Sequence, residues 1–145
     1  MESILLSIDI GSSQTKIIYQ LQKKKVIGFL VMPPEVEEIS QSRLDNFFER
    51  RGWIGNPSLE QQLVISCGER LVVLGEFASS FDPISRLKEL KYENALWKVL
   101  GAIGLIVHKS ETKIRRSKQV KLKLAVLLPW NEYNDRHRFR EQLET

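Results

Sequence analysis

Apolar residues gather in short stretches of strand length along the first third of the chain, separated by polar turn clusters. Ile4 to Ile10 (ILLSIDI) is aliphatic and β-branched and stops at Gly11-Ser12-Ser13, which predicts a first strand. Thr15 to Leu21 again suits a pleated surface, and Lys23-Lys24-Lys25 separates it from Val26 to Met32. Two such short connections imply an antiparallel three-stranded meander. Pro33-Pro34 ends it, because neither proline can donate to a ladder. Between Glu35 and Gly52, Val36, Ile39, Leu44, Phe47 and Phe48 fit helical spacing imperfectly among many charges, and Gly52 to Pro57 reads as a loop. Leu63 to Ser66 and Arg70 to Leu74 flank Cys67-Gly68-Glu69 as a hairpin, and Gly75 closes its second strand. Asp82-Pro83 opens a helical stretch that runs through Tyr92 to Val107, apolar almost all round and therefore expected to be buried. Val120, Leu122 and Leu124 alternate with lysines before Ala125 to Leu128 becomes continuously apolar, as in a strand entering a covered sheet, and Pro129 ends it. Asn131 or Asn134 caps a last helix through Phe139 to Leu143. The order βββ, variable segment, ββ, α, β, α predicts an α/β chain with a mixed sheet.

Length and composition narrow this further. A chain of 145 residues, 42% hydrophobic and 28% charged, is sized for one core and excludes disordered and collagen-like classes. The longest apolar run, Ala95 to Val107, is broken by Lys98 and falls short of the roughly 18 to 20 residues a bilayer needs. With no basic n-region after Met1, a cytoplasmic protein without membrane partners is expected. Cys67 stands alone and cannot form an internal disulfide, which agrees with a reducing compartment.

The net charge is +4, and much of the excess sits in Lys109, Lys113, Arg115, Arg116, Lys118, Lys121 and Lys123 against the single acid Glu111. That stretch reads as a solvated loop and strand entrance. It interleaves no aromatics for base stacking, so direct nucleic-acid binding is not expected. His108 and His137 have no second ligand at metal spacing, and Glu35, Glu37 and Glu38 read as a solvated acidic face. Trp97 reads as core, while Trp53, beside Gly52 and Gly55, is a candidate interface residue.

The chemically informative segment is Asp9-Ile10-Gly11-Ser12-Ser13-Gln14-Thr15-Lys16. It places a carboxylate at the end of a buried strand, then a glycine-bearing turn, then a lysine returning on the next strand. Amides in such a turn form an anion-binding concavity, Gly11 permits close approach of phosphate oxygens, Lys16 supplies a point charge, and Asp9 can hold hydrated Mg²⁺. This is not a Walker loop, in which a glycine precedes the lysine; Thr15 stands there. A plain β-turn would also account for the segment taken alone.

In its setting, on the first hairpin of an N-terminal meander, Asp9-x-Gly11-Ser12 with Lys16 resembles the first phosphate motif of the actin, sugar-kinase and heat-shock-chaperone ATPase superfamily. It is most similar to prokaryotic actin-like proteins of the ParM/StbA plasmid-segregation type. Val73-Leu74-Gly75-Glu76-Phe77-Ala78, Lys91 to Leu96, and Leu124 to Pro129 with Asn131-Glu132-Tyr133 resemble later segments of that family in order, so the likeness covers nearly the whole chain. The resemblance implies a ribonuclease-H-like domain whose core is 1–33 and 66–145, with a small inserted subdomain at 34–65. It also implies ATP or GTP with Mg²⁺ as cofactor. Asp9 would hold the metal through water, and Gly11, Ser12, Ser13, Gln14, Thr15 and Lys16 would surround the β- and γ-phosphates. Implied partners are filament subunits of its own kind and a DNA-binding adaptor. Family members run to roughly twice this length or more, in keeping with two such domains. The second Asp-x-Gly-Gly motif, the adenosine motif and the water-positioning residue are not in this sequence, so weak binding and little hydrolysis are expected. A non-catalytic adaptor with the same fold is the alternative, and a small basic nucleic-acid-binding protein ranks after it.

Overall fold

The computed structural model describes residues 3–11, 13–51, 58–81, 91–110, 119–128 and 130–144. In chain order the strands are β1 (Ser3–Ile10), β2 (Thr15–Leu21), β3 (Val26–Met32), β4 (Val36–Ile39), β5 (Val64–Cys67), β6 (Arg70–Leu74) and β7 (Lys121–Leu127). The helices are α1 (Gln41–Arg51), α2 (Gly75–Ser79), α3 (Lys91–Lys109) and α4 (Arg136–Glu144), with 3₁₀ turns at Leu59–Gln62 and Trp130–Asp135.

The meander forms as its alternation predicts. β1 pairs antiparallel with β2 from Ile4↔Leu21 to Ile10↔Thr15, and β2 with β3 from Thr15↔Met32 to Leu21↔Val26. β7 then lies parallel to β1, from Ser3↔Lys121 to Asp9↔Leu127, giving a mixed sheet in the order β3-β2-β1-β7. Period-two alternation in β1 sends Ile4, Leu6, Ile8 and Ile10 to one face, all fully buried or nearly so. Ala95, Val99, Ala102, Leu105 and Ile106 of α3 close over that face, and Phe139 of α4 completes the cluster.

A second, antiparallel sheet has the order β4-β6-β5. This corrects the helix expected to begin at Glu35: Val36 and Ile39 are buried strand positions, and the helix begins only at Gln41. Ser40 caps it, its Oγ accepting from the Arg43 amide at 3.2 Å. The sheet joins β4, inside the expected insert 34–65, to β6 beyond it. From Leu71 to Leu74 β6 is apolar without interruption because both faces are covered there: Val72 and Leu74 enter the main core, whereas Val73 enters a smaller one with Ile39, Leu44, Phe77 and Phe81. Arg70, at the start of β6, donates to both carboxylate oxygens of Glu38 and lies 5.0 Å from the Trp97 ring centre. Those hydrogen bonds, more than the charge itself, hold the Glu38 carboxyl below the ordinary carboxylate range.

Three further expectations change. Gly75 does not merely end a strand: with φ +60° and its amide bonded to the Glu35 carbonyl at 2.9 Å, it turns the chain into the short helix α2. α3 is not buried all round, since Leu100 and Gly104 face solvent. β7 is covered on one side only, with Ala125 and Leu127 exposed on the other. The expected helix start at Asp82-Pro83, the loop 52–57, Glu111, and the basic residues Lys113, Arg115, Arg116 and Lys118 lie outside the described residues, as do Trp53 and Pro129. Among the described residues no helix is long and apolar enough to cross a membrane.

The two central glycines of α3 make a test of this packing. A Cβ built on Gly104 meets nothing within 4 Å, whereas one on Gly101 meets Leu74 Cδ2 at 3.3 Å and Leu63 Cδ2 at 3.4 Å. Gly104→Ala is therefore expected to raise unfolding free energy by about 0.5–1 kcal/mol through reduced backbone entropy. Gly101→Ala should gain clearly less in the same urea titrations, because two leucines must shift. Equal gains would show that α3 is not seated on Leu63 and Leu74.

Candidate functional site

The β1–β2 hairpin sits at the carboxyl end of the parallel β1–β7 pair, the end of α/β sheets at which ligands bind. After the last ladder pair, Ile10↔Thr15, the Gly11 amide donates to the Gln14 carbonyl at 2.9 Å. Glycine at position 11 follows from that closure. A Cβ there would stand 2.6 Å from the Gln14 carbonyl oxygen, and backbone cannot move aside cheaply.

The same closure alters the count of donors available to an anion. The Gly11 amide is consumed by the hairpin, while the Ser13 and Gln14 amides make no hydrogen bond to a described residue. Both of those residues are exposed, and Ser12 lies outside the described residues. Asp9 and Lys16 are directly opposite across the ladder, both on the face away from the main core and both exposed. Neither forms an ion pair with a described residue, and a carboxylate and an ammonium stand side by side on an exposed face. An arrangement of two free amides, a cation and an anion on one rim suits a polyanion carrying a divalent metal. No group of three His, Cys, Asp or Glu gathers among the described residues. Mg²⁺ held through one carboxylate, waters and phosphate oxygens needs no such group.

Thr15 differs from its neighbours. Its side chain is fully buried on the core face, and its Oγ1 has no hydrogen-bond partner among the described residues. Glu35 is the residue the sequence misplaces. The sequence places it on a solvated face, yet it is half-buried, with Oε2 out of contact with solvent and without a hydrogen-bond partner among the described residues. It follows three residues after Met32, the ladder partner of Thr15, so both orphaned oxygens belong to the same end of the sheet. The only sequence signal for this is Pro33-Pro34, which follows directly on the end of β3. Glu37 is half-buried with Arg43 at 3.9 Å, and Glu38 alone of the three acids is exposed.

Residues outside this site stay apart from it. His108 and His137 are exposed on α3 and α4, and Trp97 packs against the main core. Lys109 pairs with Glu60, and Lys121 and Lys123 are exposed on β7. Cys67 is exposed at the end of β5.

A family model described as the N-terminal domain of actin-like proteins matches residues 7–145. No curated protein and no solved structure matches the chain.

Proposed function

The chain belongs to the family of actin-like protein N-terminal domains, and from that premise we propose that it is the nucleotide-binding half of a ParM/StbA-type segregation protein. In this reading it takes Mg-ATP or Mg-GTP at the β1–β2 hairpin and assembles with subunits of its own kind, coupled to plasmid DNA through an adaptor. The observation that supports the reading most is the pairing of Asp9 and Lys16 on one exposed face, beside a hairpin that excludes a Cβ at Gly11. Each residue then has a chemical task. The Ser13 and Gln14 amides, with residue 12, donate to phosphate oxygens. Lys16 neutralises the phosphates as a point charge, and Asp9 holds the hydrated metal from the opposite strand. Bound Mg²⁺ supplies charge neutralisation at the phosphates.

These groups approach a phosphate chain from one side. Phosphoryl transfer is accelerated by donors clamping the group from several sides and by a positioned water. The chain on its own is therefore proposed to bind nucleotide weakly without appreciable turnover.

Isothermal titration calorimetry with Mg-ATP and Mg-GTP, repeated in EDTA, tests the reading. Affinity is expected to drop about tenfold or more when the metal is removed, and Asp9→Ala should abolish that dependence, because one charge-assisted contact is lost in either case. Absence of binding at millimolar nucleotide, or metal dependence that survives Asp9→Ala, would remove the assignment.

A further inference from the structure

The amino end of the β1–β7 pair, opposite the hairpin of Asp9 and Lys16, collects lysines from distant parts of the chain. β2 and β3 are joined there by a turn in which the Lys24 and Lys25 amides both donate to the Leu21 carbonyl, at 3.1 and 3.2 Å. That turn carries Lys23, Lys24 and Lys25, all exposed. β7 enters at the same end, where Lys121 lies opposite Ser3 and Lys123 opposite Leu5, and both of these lysines are exposed too. The Gln22 amide donates to the Ser3 carbonyl at 3.1 Å, so the turn and the start of β7 flank the start of β1 on its two sides. Neighbouring strands lie about 4.8 Å apart, which sets β7 about 10 Å from β2 and about 14 Å from β3. Only the sheet brings the two lysine groups together. The other described residues along this rim, Ser3, Gln22 and Gln119, carry no charge, and in the sequence Lys113, Arg115, Arg116 and Lys118 shortly precede Lys121.

One of these lysines is held against its backbone preference. Lys25 has φ +52°, and among the described residues it is the one non-glycine in the left-handed region, where a hairpin loop ordinarily places glycine or asparagine. A turn selected for folding alone takes glycine there. Lysine at that position points to a task outside the turn.

We propose that this rim binds duplex DNA through its phosphate backbone, at a site separate from the nucleotide hairpin. Lysines spread over about 10 to 14 Å face a polymer that carries one negative charge per about 1.7 Å of its axis. A compact ammonium suits phosphate contacts, which hold a duplex without reading its sequence. The lack of interleaved aromatics disfavours stacking on single strands and has no bearing on a duplex whose bases stay stacked. A bilayer surface fits less well: lysines form the turn, with Val26 and Ile27 set back within β3, whereas a segment that inserts among lipid chains presents its apolar residues foremost. From Ser3 to Asp9 along β1 is about 20 Å, so DNA at this end leaves the hairpin open.

Fluorescence anisotropy with a short labelled duplex of mixed sequence, over a salt series and without nucleotide, tests the proposal. The wild type is expected to bind two unrelated sequences alike, with log affinity falling against log salt at a slope of about −3 to −5. Lys121→Gln combined with Lys123→Gln should weaken binding at low salt at least about tenfold and flatten the slope by about 2. Lys25→Gly should weaken it at least about threefold and flatten the slope by about 1, with thermal unfolding unchanged or raised because glycine accepts that backbone conformation, so misfolding cannot account for the loss. Lys16→Ala should bind DNA as the wild type does. Absence of binding at low salt overturns the proposal. So does binding that neither rim variant alters, which would assign the contact to residues 113–118, or an equal loss in Lys16→Ala, which would place DNA at the hairpin. Lysine-dependent capture by phosphatidylserine vesicles with none by DNA overturns it in favour of a membrane surface.

Discussion

Phe77→Ala is expected to lower the unfolding free energy by about 3 to 5 kcal/mol, the range for deleting a buried phenyl ring from a packed core. Phe77 is 2% exposed. Its ring lies 5.4 Å from Phe47, 6.0 Å from Phe48 and 5.3 Å from Phe81, two of these contacts being edge-on. Truncation removes the ring that all three touch. The cavity cannot collapse easily, because Val73 beside it belongs to β6, whose neighbours Val72 and Leu74 are fixed in the main core. Since β6 serves both cores, the loss should appear as an earlier midpoint of one cooperative urea transition with an unchanged slope. A fall of less than about 1 kcal/mol would mean that the aromatic cluster is not packed as described. A separate early transition would mean that the small core melts alone.

Lys16→Ala is expected to weaken Mg-nucleotide binding by about 1.5 to 3 kcal/mol, the worth of a hydrogen bond to a charged group, or roughly 10- to 150-fold in dissociation constant. The side chain is exposed and forms no ion pair with a described residue, so its removal should leave folding stability within about 0.5 kcal/mol. Thr15→Val supplies the contrast one residue away. The Thr15 hydroxyl is fully buried without a partner among the described residues, and a methyl of the same shape removes that desolvation penalty. Thr15→Val is therefore expected to raise stability by about 1 kcal/mol or more and to leave nucleotide affinity unchanged. Calorimetric titrations and urea midpoints on the two variants read both effects. If Lys16→Ala binds as the wild type does, Lys16 is not a phosphate ligand; if Thr15→Val loses affinity, the hydroxyl reaches the ligand from the core side.

Chain-local physics determined a good deal of this protein. The alternation of Ile4, Leu6, Ile8 and Ile10 with Leu5, Ser7 and Asp9 fixes a strand and its two faces, and Gly11 and the lysine run at 23–25 place the turns. β2, β3 and β6 accordingly occupy the bounds read from the sequence. Asp9 and Lys16, seven residues and one turn apart, face each other for the same local reason. Where the signal was local but ambiguous, the reading failed. Val36 and Ile39 stand three apart, which suits a helix turn as well as a short strand, and pairing with β6, more than thirty residues on, selected the strand. No local pattern records that β1 and β7, over a hundred residues apart, lie parallel and bring the hairpin to the carboxyl end of the pair. Nor does one record that Val73 serves one core while Val72 and Leu74 serve another, or that an oxygen of Glu35 is buried. An apolar run such as Ala125 to Leu128 states that a strand can be covered. Which of its faces is covered depends on where α3 and α4 come to rest, and that is settled by long-range packing, which left Leu127 in water and Leu124 against the core.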